Sequence, residues 1–314
     1  ELRACDYYER FEQPKIIFPD IAKGCTFVFD DARFYSTNTT YFMPVEETQK
    51  YLVALLNSSL IEFFFRKISA LIRGDYLRFF TQSVVQIPIR RIESTTPDDE
   101  RTRLIGGAIT LYTQNRQRDL LAFIDAQLAH EPERGDVVRD VLAYLAEQMG
   151  NLQAQRHTAI GDFQIGLQGV LTTAELEKLH RLWTPTITSP PERVLTTSTT
   201  PATLSSLPAE DSRDNRKKRA ENEEMLDMLG SLATQQLDFY DDIGQLDERQ
   251  WLWLLKRKFG TRSNMVQIAH IYRNYHPPIA MLDERLSQTD CLINMIVYKL
   301  YGLTEEEVGV VEGK

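Results

Sequence analysis

Cysteine is scarce. The chain has three in 314 residues, Cys5, Cys25 and Cys291, odd in number, far apart and without metal-ligand spacing. That argues against a disulfide framework or a cysteine-based metal site, and makes a reducing cytoplasm the expected compartment. Long apolar runs are also missing. The greasiest stretch, Leu52 to Phe65, is interrupted by Asn57, Ser58, Ser59 and Glu62, well short of the roughly 20 residues that span a bilayer; it reads as a buried element, and no membrane partner is expected. The five histidines (130, 157, 180, 270 and 276) are dispersed, with no acid or cysteine placed to complete a metal site. There is no initiator Met and no charged-then-apolar leader before the first strand-like segment, so the expectation is a piece of a longer gene product. An excess of positive charge is lacking too. Lys and Arg total 36 against 45 Asp and Glu, a net charge of -9, so any nucleic-acid surface has to be local rather than general.

What is present divides by texture. In residues 1–95, Ile16-Ile17-Phe18 and Thr26-Phe27-Val28-Phe29 are β-branched and aromatic runs bounded by Pro14, Pro19, Gly24 and Asp30-Asp31, which predicts strands and turns. Tyr41-Phe42-Met43 before Pro44 predicts another strand. Tyr51 to Lys67 lacks Gly and Pro and repeats Leu52, Leu55, Leu56, Leu60, Phe63 and Phe64 at helical spacing, which predicts one helix. Val84 to Ile92 has strand composition, and Pro88 makes it an edge strand or an extended segment.

Residues 96–183 read as helical. Thr96-Pro97-Asp98-Asp99 predicts a start with a Thr cap and Pro at the first position, running towards Ala129 with one turn weakened by Gly106-Gly107. A second helix is predicted from Asp136 to about Met149, and Thr172 with Glu175 forms a capping box for a third, ending near Trp183. Residues 184–212 hold 8 Thr, 5 Ser and 5 Pro among 29 positions. Too little there is apolar to offset ordering, so a disordered linker is expected over 184–220, with the charged run from Arg213 included. Residues 221–314 then return to helix. Leu286, Ile293, Ile296, Val297, Leu300 and Tyr301 mark a final long helix stopped by Gly302, and Thr304 with Glu307 caps a short closing one.

Two stretches carry a family resemblance. Phe11-Glu12-Gln13-Pro14-Lys15-Ile16, then Leu55-Leu56-Asn57-Ser58, then Phe63-Phe64-Phe65, and finally Gln86-Ile87-Pro88-Ile89 stand in the order of the TaqI-like C-terminal specificity domain of type IIG restriction–modification enzymes. Val297-Tyr298-Lys299-Leu300-Tyr301-Gly302-Leu303-Thr304-Glu305-Glu306-Glu307 resembles that family's C-terminal ending. The fold expected is α+β: a mixed α/β target-recognition domain followed by a mainly helical region with a disordered linker, an insertion that departs from the compact family pattern. The resemblance implies double-stranded DNA as partner, an upstream methyltransferase domain, sometimes preceded by a nuclease, and S-adenosylmethionine as cofactor of the complete enzyme. The activity implied is methylation of adenine N6, with the target base flipped out of the stack.

Catalytic residues of that chemistry are not expected in this chain. The family's Asn-Pro-Pro-aromatic motif has only two near matches, His276-Pro277-Pro278-Ile279 and Ser189-Pro190-Pro191-Glu192, and neither has the Asn or the aromatic. No Gly-rich strand-to-helix turn suits the cofactor, and Pro19-Asp20 with Asp31-Ala32-Arg33 has Arg where a nuclease needs Lys. The expected chemistry lies upstream.

DNA contact is expected between Leu60 and Ile92. Arg66, Lys67, Arg73, Arg78, Arg90 and Arg91 stand against Glu62 and Asp75, six minus two or +4 in a chain of -9. Arginine suits phosphate contact and bidentate reading of guanine. Tyr76 and Gln82, with Gln86, Thr37, Asn38 and Thr39, add aromatic, amide and hydroxyl groups, and Gly74 allows close backbone approach. The competing reading of each cation is a solvated or ion-paired surface charge. Asn57-Ser58 reads as a structural kink or buried hydrogen bond, and Phe63-Phe64-Phe65 as core. Trp251-Leu252-Trp253-Leu254-Leu255 reads as a helix buried among others or a docking surface. Two other identities stay open: a type I specificity subunit, which normally carries two recognition domains where one is found here, and a helical protein-interaction scaffold, which has no need of an Arg-rich α+β module.

Overall fold

The computed structural model describes residues 8–36, 39–46, 49–72, 75–182, 184 and 224–313. Thr37, Asn38, Arg73, Gly74, Trp183 and all of the expected linker beyond Thr184 lie outside the described residues. By contacts the chain forms two units, Glu1–Ala154 with Glu284–Lys314, and Gln155–Asp283. The fold class is α+β: two small antiparallel sheets accompany a mainly helical remainder.

In the first unit the strands are β1 (Lys15–Pro19), β2 (Ile21–Ala22), β3 (Val28–Asp30), β4 (Thr40–Pro44), β5 (Leu71–Ile72) and β6 (Tyr76–Arg78). One sheet has the order β3-β1-β4, the other β2-β6-β5. Along β1 the pleat sends Ile16 and Phe18 into the core and Lys15 and Ile17 to the opposite face. The core over the inner face joins Ile16, Phe18 and Phe27 to Leu56, Ile61 and Phe65 of the helices and to Leu77 and Phe79. Phe65 stacks on Phe79 with ring centroids 4.7 Å apart. Each such side chain contributes about 1.5–3 kcal/mol by leaving water.

The helix predicted over Tyr51 to Lys67 is two, α1 (Tyr51–Leu56) and α2 (Ser59–Ile68). The break is made by side-chain chemistry. Ser58 turns extended and caps α2 through Ile61 N, while the Asn57 amide accepts from Phe27 N at 2.8 Å and donates to Phe27 O at 2.7 Å. The amide thus completes the backbone bonding of a residue entering β3, as the kink reading expected. The edge strand offered for Val84 to Ile92 does not form. A short helix, α3 (Thr81–Val84), ends in turns at Gln86 and Ile87, and the chain then runs extended past Pro88 without a strand partner.

Three further expectations change. Thr96 does not cap a helix: it is buried, and its N–H and hydroxyl both donate to the Asp136 carboxylate, at 2.9 and 2.8 Å. The helix that follows, α4 (Asp98–Thr113), ends well before Ala129, and α5 (Gln117–Leu128) follows separately. The chain turns at Asn115, whose φ of 56° is left-handed, not at the glycine pair. Asn tolerates that conformation better than most residues. α6 (Gly135–Gln168) runs far beyond Met149. α4, α5, the start of α6 and the last turns of a long helix, Met265–Tyr301, share a core of Leu120, Ile124, Val138, Leu142, Ile296 and Val297. Ala54 and Leu55 of α1 belong to this core and Leu56 to the sheet core, so α1 ties the two together. Gly302, at φ 68°, ends the long helix as expected, and Thr304 caps Glu305–Val311 through a complete capping box.

The second unit packs around Phe163, Phe239 and Trp251, whose rings meet at 5.1 to 6.0 Å. The capping box at Thr172 is present, but its helix, α7 (Thr173–Glu177), is short and passes into a 3-10 turn at Lys178–Arg181. Beyond a helical stretch at 224–229 come α8 (Phe239–Asp242), α9 (Glu248–Phe259), α10 (the Met265–Tyr301 helix) and α11 (Glu305–Val311), the last in the first unit. Trp251, Leu254 and Leu255 of α9 are buried here. Pro277 and Pro278 sit inside α10, so the His-Pro-Pro-Ile sequence is helix and offers no loop for a substrate. Among the described residues no helix is long and apolar enough to cross a membrane.

Candidate nucleic-acid interface

The second sheet gathers several of the predicted residues. β2 pairs with β6, Ile21 opposite Arg78 and Ala22 opposite Leu77, which brings Lys23 to Tyr76. The Lys23 ammonium lies 5.8 Å from the centre of the Tyr76 ring. α2 joins this edge through its C-cap, where Ser69 Oγ donates to Arg78 O at 2.8 Å. Arg66, in the last turn of α2, donates to Lys23 O at 2.6 Å and to Glu62 Oε1 at 2.7 Å. Glu62 also accepts from Cys25 N at 3.2 Å. Gly24 is what allows that approach, since a Cβ there would lie 2.7 Å from the carboxylate. Burial, with the Glu62 charge added and Arg66 opposing, pushes the Cys25 thiol up to about 12; it stays protonated and is no nucleophile.

The cations differ in how far they are engaged. Arg66 is held by Glu62. Arg78 Nε stands 3.6 Å from Asp20 Oδ1, beyond hydrogen-bond reach although both atoms are closed to solvent, and its guanidinium covers the Phe80 ring at 4.2 Å. Arg90 bridges Glu133 at 2.8 and 2.9 Å and donates to Leu300 O at the end of α10. Lys67 is exposed, its ammonium 5.0 Å from the Phe63 ring. Among the described residues Lys23, Lys67 and Arg91 are exposed and meet no carboxylate. Gln82 is exposed on α3, its carbonyl accepting from Gln86 Nε2. Charge counting along the chain marks all of these alike; the structure separates structural cations from available ones.

A feature that residue counting missed lies on the outer face of β1. Lys15 is fully buried, 2.5 Å from Asp30 Oδ2, and its ammonium also donates to Phe11 O at 2.7 Å. Asp30 accepts from Ala32 N and Phe34 N, each at 3.0 Å. β3 and β4 flank β1 and are both antiparallel to it, so the connection between them must cross the sheet. Tyr35, after β3, and the 3-10 turn Tyr8–Glu12 lie over the face, with Phe11 stacked on Tyr35 at 5.0 Å and against Phe42 at 4.4 Å. The one available signal was Lys15 beside Pro14 and the paired Asp30-Asp31, which composition cannot distinguish from surface charge.

The two sheets, the α1–α2 joint and the exit at Pro88 coincide with a known family. Residues 3–89 match the TaqI-like C-terminal specificity domain. All six strands of the described residues lie inside that span. The type II methyltransferase M.BstVI of Geobacillus stearothermophilus is 33% identical over 100 residues, which are 32% of this chain and 18% of the relative. The chain therefore spans less than a fifth of the length of the curated relative it matches. No solved structure matches. The specificity-domain match leaves the helical remainder of the chain unassigned.

Proposed function

We propose that this chain is the DNA-reading part of a site-specific restriction–modification methyltransferase. The observation that carries the reading is the coincidence of the specificity-domain match with the sheet-bearing part of the molecule, from Lys15 to Arg78. In the finer form of the proposal the enzyme is of type IIG, works in the cytoplasm and methylates adenine N6. Lys23, Lys67 and Arg91 meet phosphates, Arg66, Arg73, Arg78 and Arg90 support or extend that contact, and Tyr76 and Gln82 lie along it. Phosphate contacts fix register, while side chains reaching base edges carry sequence.

Methyl transfer belongs to an upstream domain that would bind S-adenosylmethionine. Among the described residues, the nearest match to the Asn-Pro-Pro-aromatic motif is interior helix in α10, and no step of the transfer is assigned here. Two measurements test the reading. Selection from a random-sequence duplex pool by the complete polypeptide should return one short recognition site. Incubation of that site with methyl-labelled S-adenosylmethionine should label adenine N6 with the complete polypeptide and give no label with these 314 residues alone. A pool that stays random after repeated selection would reject the DNA-reading role.

A further inference from the structure

The crossover between β3 and β4 ends on a tip that its own packing does not use. Arg33 sits at φ 61°, a left-handed conformation that costs an arginine free energy unless its neighbours impose it. They do: the N–H groups on either side, of Ala32 and Phe34, both donate to the buried Asp30 carboxylate, which Lys15 neutralises. Tyr35, stacked on Phe11 and hydrogen-bonded to Glu12, braces the far side of the tip. The result is a hydrogen-bonded turn presenting Phe34 with 67% of its surface exposed, beside an Arg33 side chain that is also 67% exposed. The Arg33 guanidinium is 3.8 Å from Glu12, a loose surface pair that a phosphate can replace.

A single exposed Phe needs no explanation by itself. A Phe held out by a buried ion pair and a left-handed arginine does, because a turn serving only to cross the sheet has no need of that arrangement. An aromatic ring next to a guanidinium suits nucleic acid: the ring stacks on the face of a base that site-specific binding has unstacked, a base that random duplex does not offer, and the cation meets the adjoining phosphate.

We propose that Phe34 stacks on a nucleobase of the recognised DNA and that Arg33 holds the neighbouring phosphate. The proposal rests on the DNA-reading role above and names a residue for it that lies away from the β2–β6 edge.

The test compares affinity for the selected site with affinity for random duplex, using the complete polypeptide. Phe34→Ala should reduce the ratio of the two affinities by about 10-fold, the scale of one lost base–aromatic stack, with random-duplex affinity unchanged within about 2-fold. Phe34→Trp should restore the ratio. Phe34 is exposed, so neither variant endangers folding, and circular dichroism checks this. An unchanged ratio in Phe34→Ala, while Lys67→Ala and Arg91→Ala still weaken binding, would overturn the stacking role and leave the DNA-reading role standing. An equal loss on both duplexes would overturn it as well, since it would make Phe34 a general contact. No binding of either duplex by the unmodified protein would overturn both.

Discussion

Asp136 shows how one buried carboxylate organises a junction. It is fully buried and accepts from Thr95 N, Thr96 N, Thr96 Oγ and Val137 N at 2.8 to 3.1 Å. Burial alone raises its pKa, but the hydrogen bonds from Thr96, Val137 and Thr95 outweigh that and hold the carboxyl below its usual value. The folded-state pKa is thus lower than the unfolded one. The contribution to stability is complete above the unfolded value of about 4 and is lost as pH falls through the folded value. Asp136→Asn should destabilise the protein by about 1–3 kcal/mol, because an amide nitrogen then faces donors. Its chemical-denaturation midpoint should also lose part of the wild type's decline below about pH 4. An unchanged midpoint at neutral pH would contradict this role. The sequence pointed to a cap at Thr96 because a hydroxyl before Pro and two acids is the usual signal. The competing acceptor lies 40 residues away and leaves no local trace. Lys15 is similar: its family motif was legible, but its burial against Asp30 depends on a strand register that periodicity does not supply.

Among the elements, the strands of the first sheet and the long-range helix pattern were legible, whereas the second sheet and the breaks were not. β1 and β4 follow from β-branched and aromatic runs between turn residues, and Gly302 stops α10 where expected. The predicted single helix over Tyr51 to Lys67 fails because Asn57 and Ser58 find better partners in Phe27 and the start of α2. Ser58→Ala should cost about 1 kcal/mol through the lost cap, and Asn57→Ala about 1–3 kcal/mol by leaving Phe27 N–H unpaired, both read from thermal or denaturant unfolding. Gly106-Gly107, expected to weaken one turn, lies inside α4. Neither glycine breaks α4, and a Cβ at either would meet nothing within 4 Å. Gly107→Ala should therefore stabilise the protein by about 0.5–1 kcal/mol; a loss would show that the glycine pair serves some approach to this face.

For the whole molecule, a net charge of -9 and a DNA-reading role are compatible only if the available cations are concentrated. The run from Leu60 to Ile92 is where the sequence holds an excess of cations, but which of them are already paired was not legible there. Arg66 and Arg90 are spent on Glu62 and Glu133, and Arg78 stands near Asp20. Lys23, outside the run, is brought to Tyr76 because β2 pairs with β6. The measurement that tests this most directly is the salt dependence of binding to the selected duplex, for the complete polypeptide and for its Lys23→Ala/Lys67→Ala/Arg91→Ala variant. Each phosphate contact adds about 0.9 to the slope of log affinity against log salt. The variant should bind more weakly at low salt and with a slope flatter by about 2 to 3. Equal affinity and equal slope in the two proteins would contradict the account.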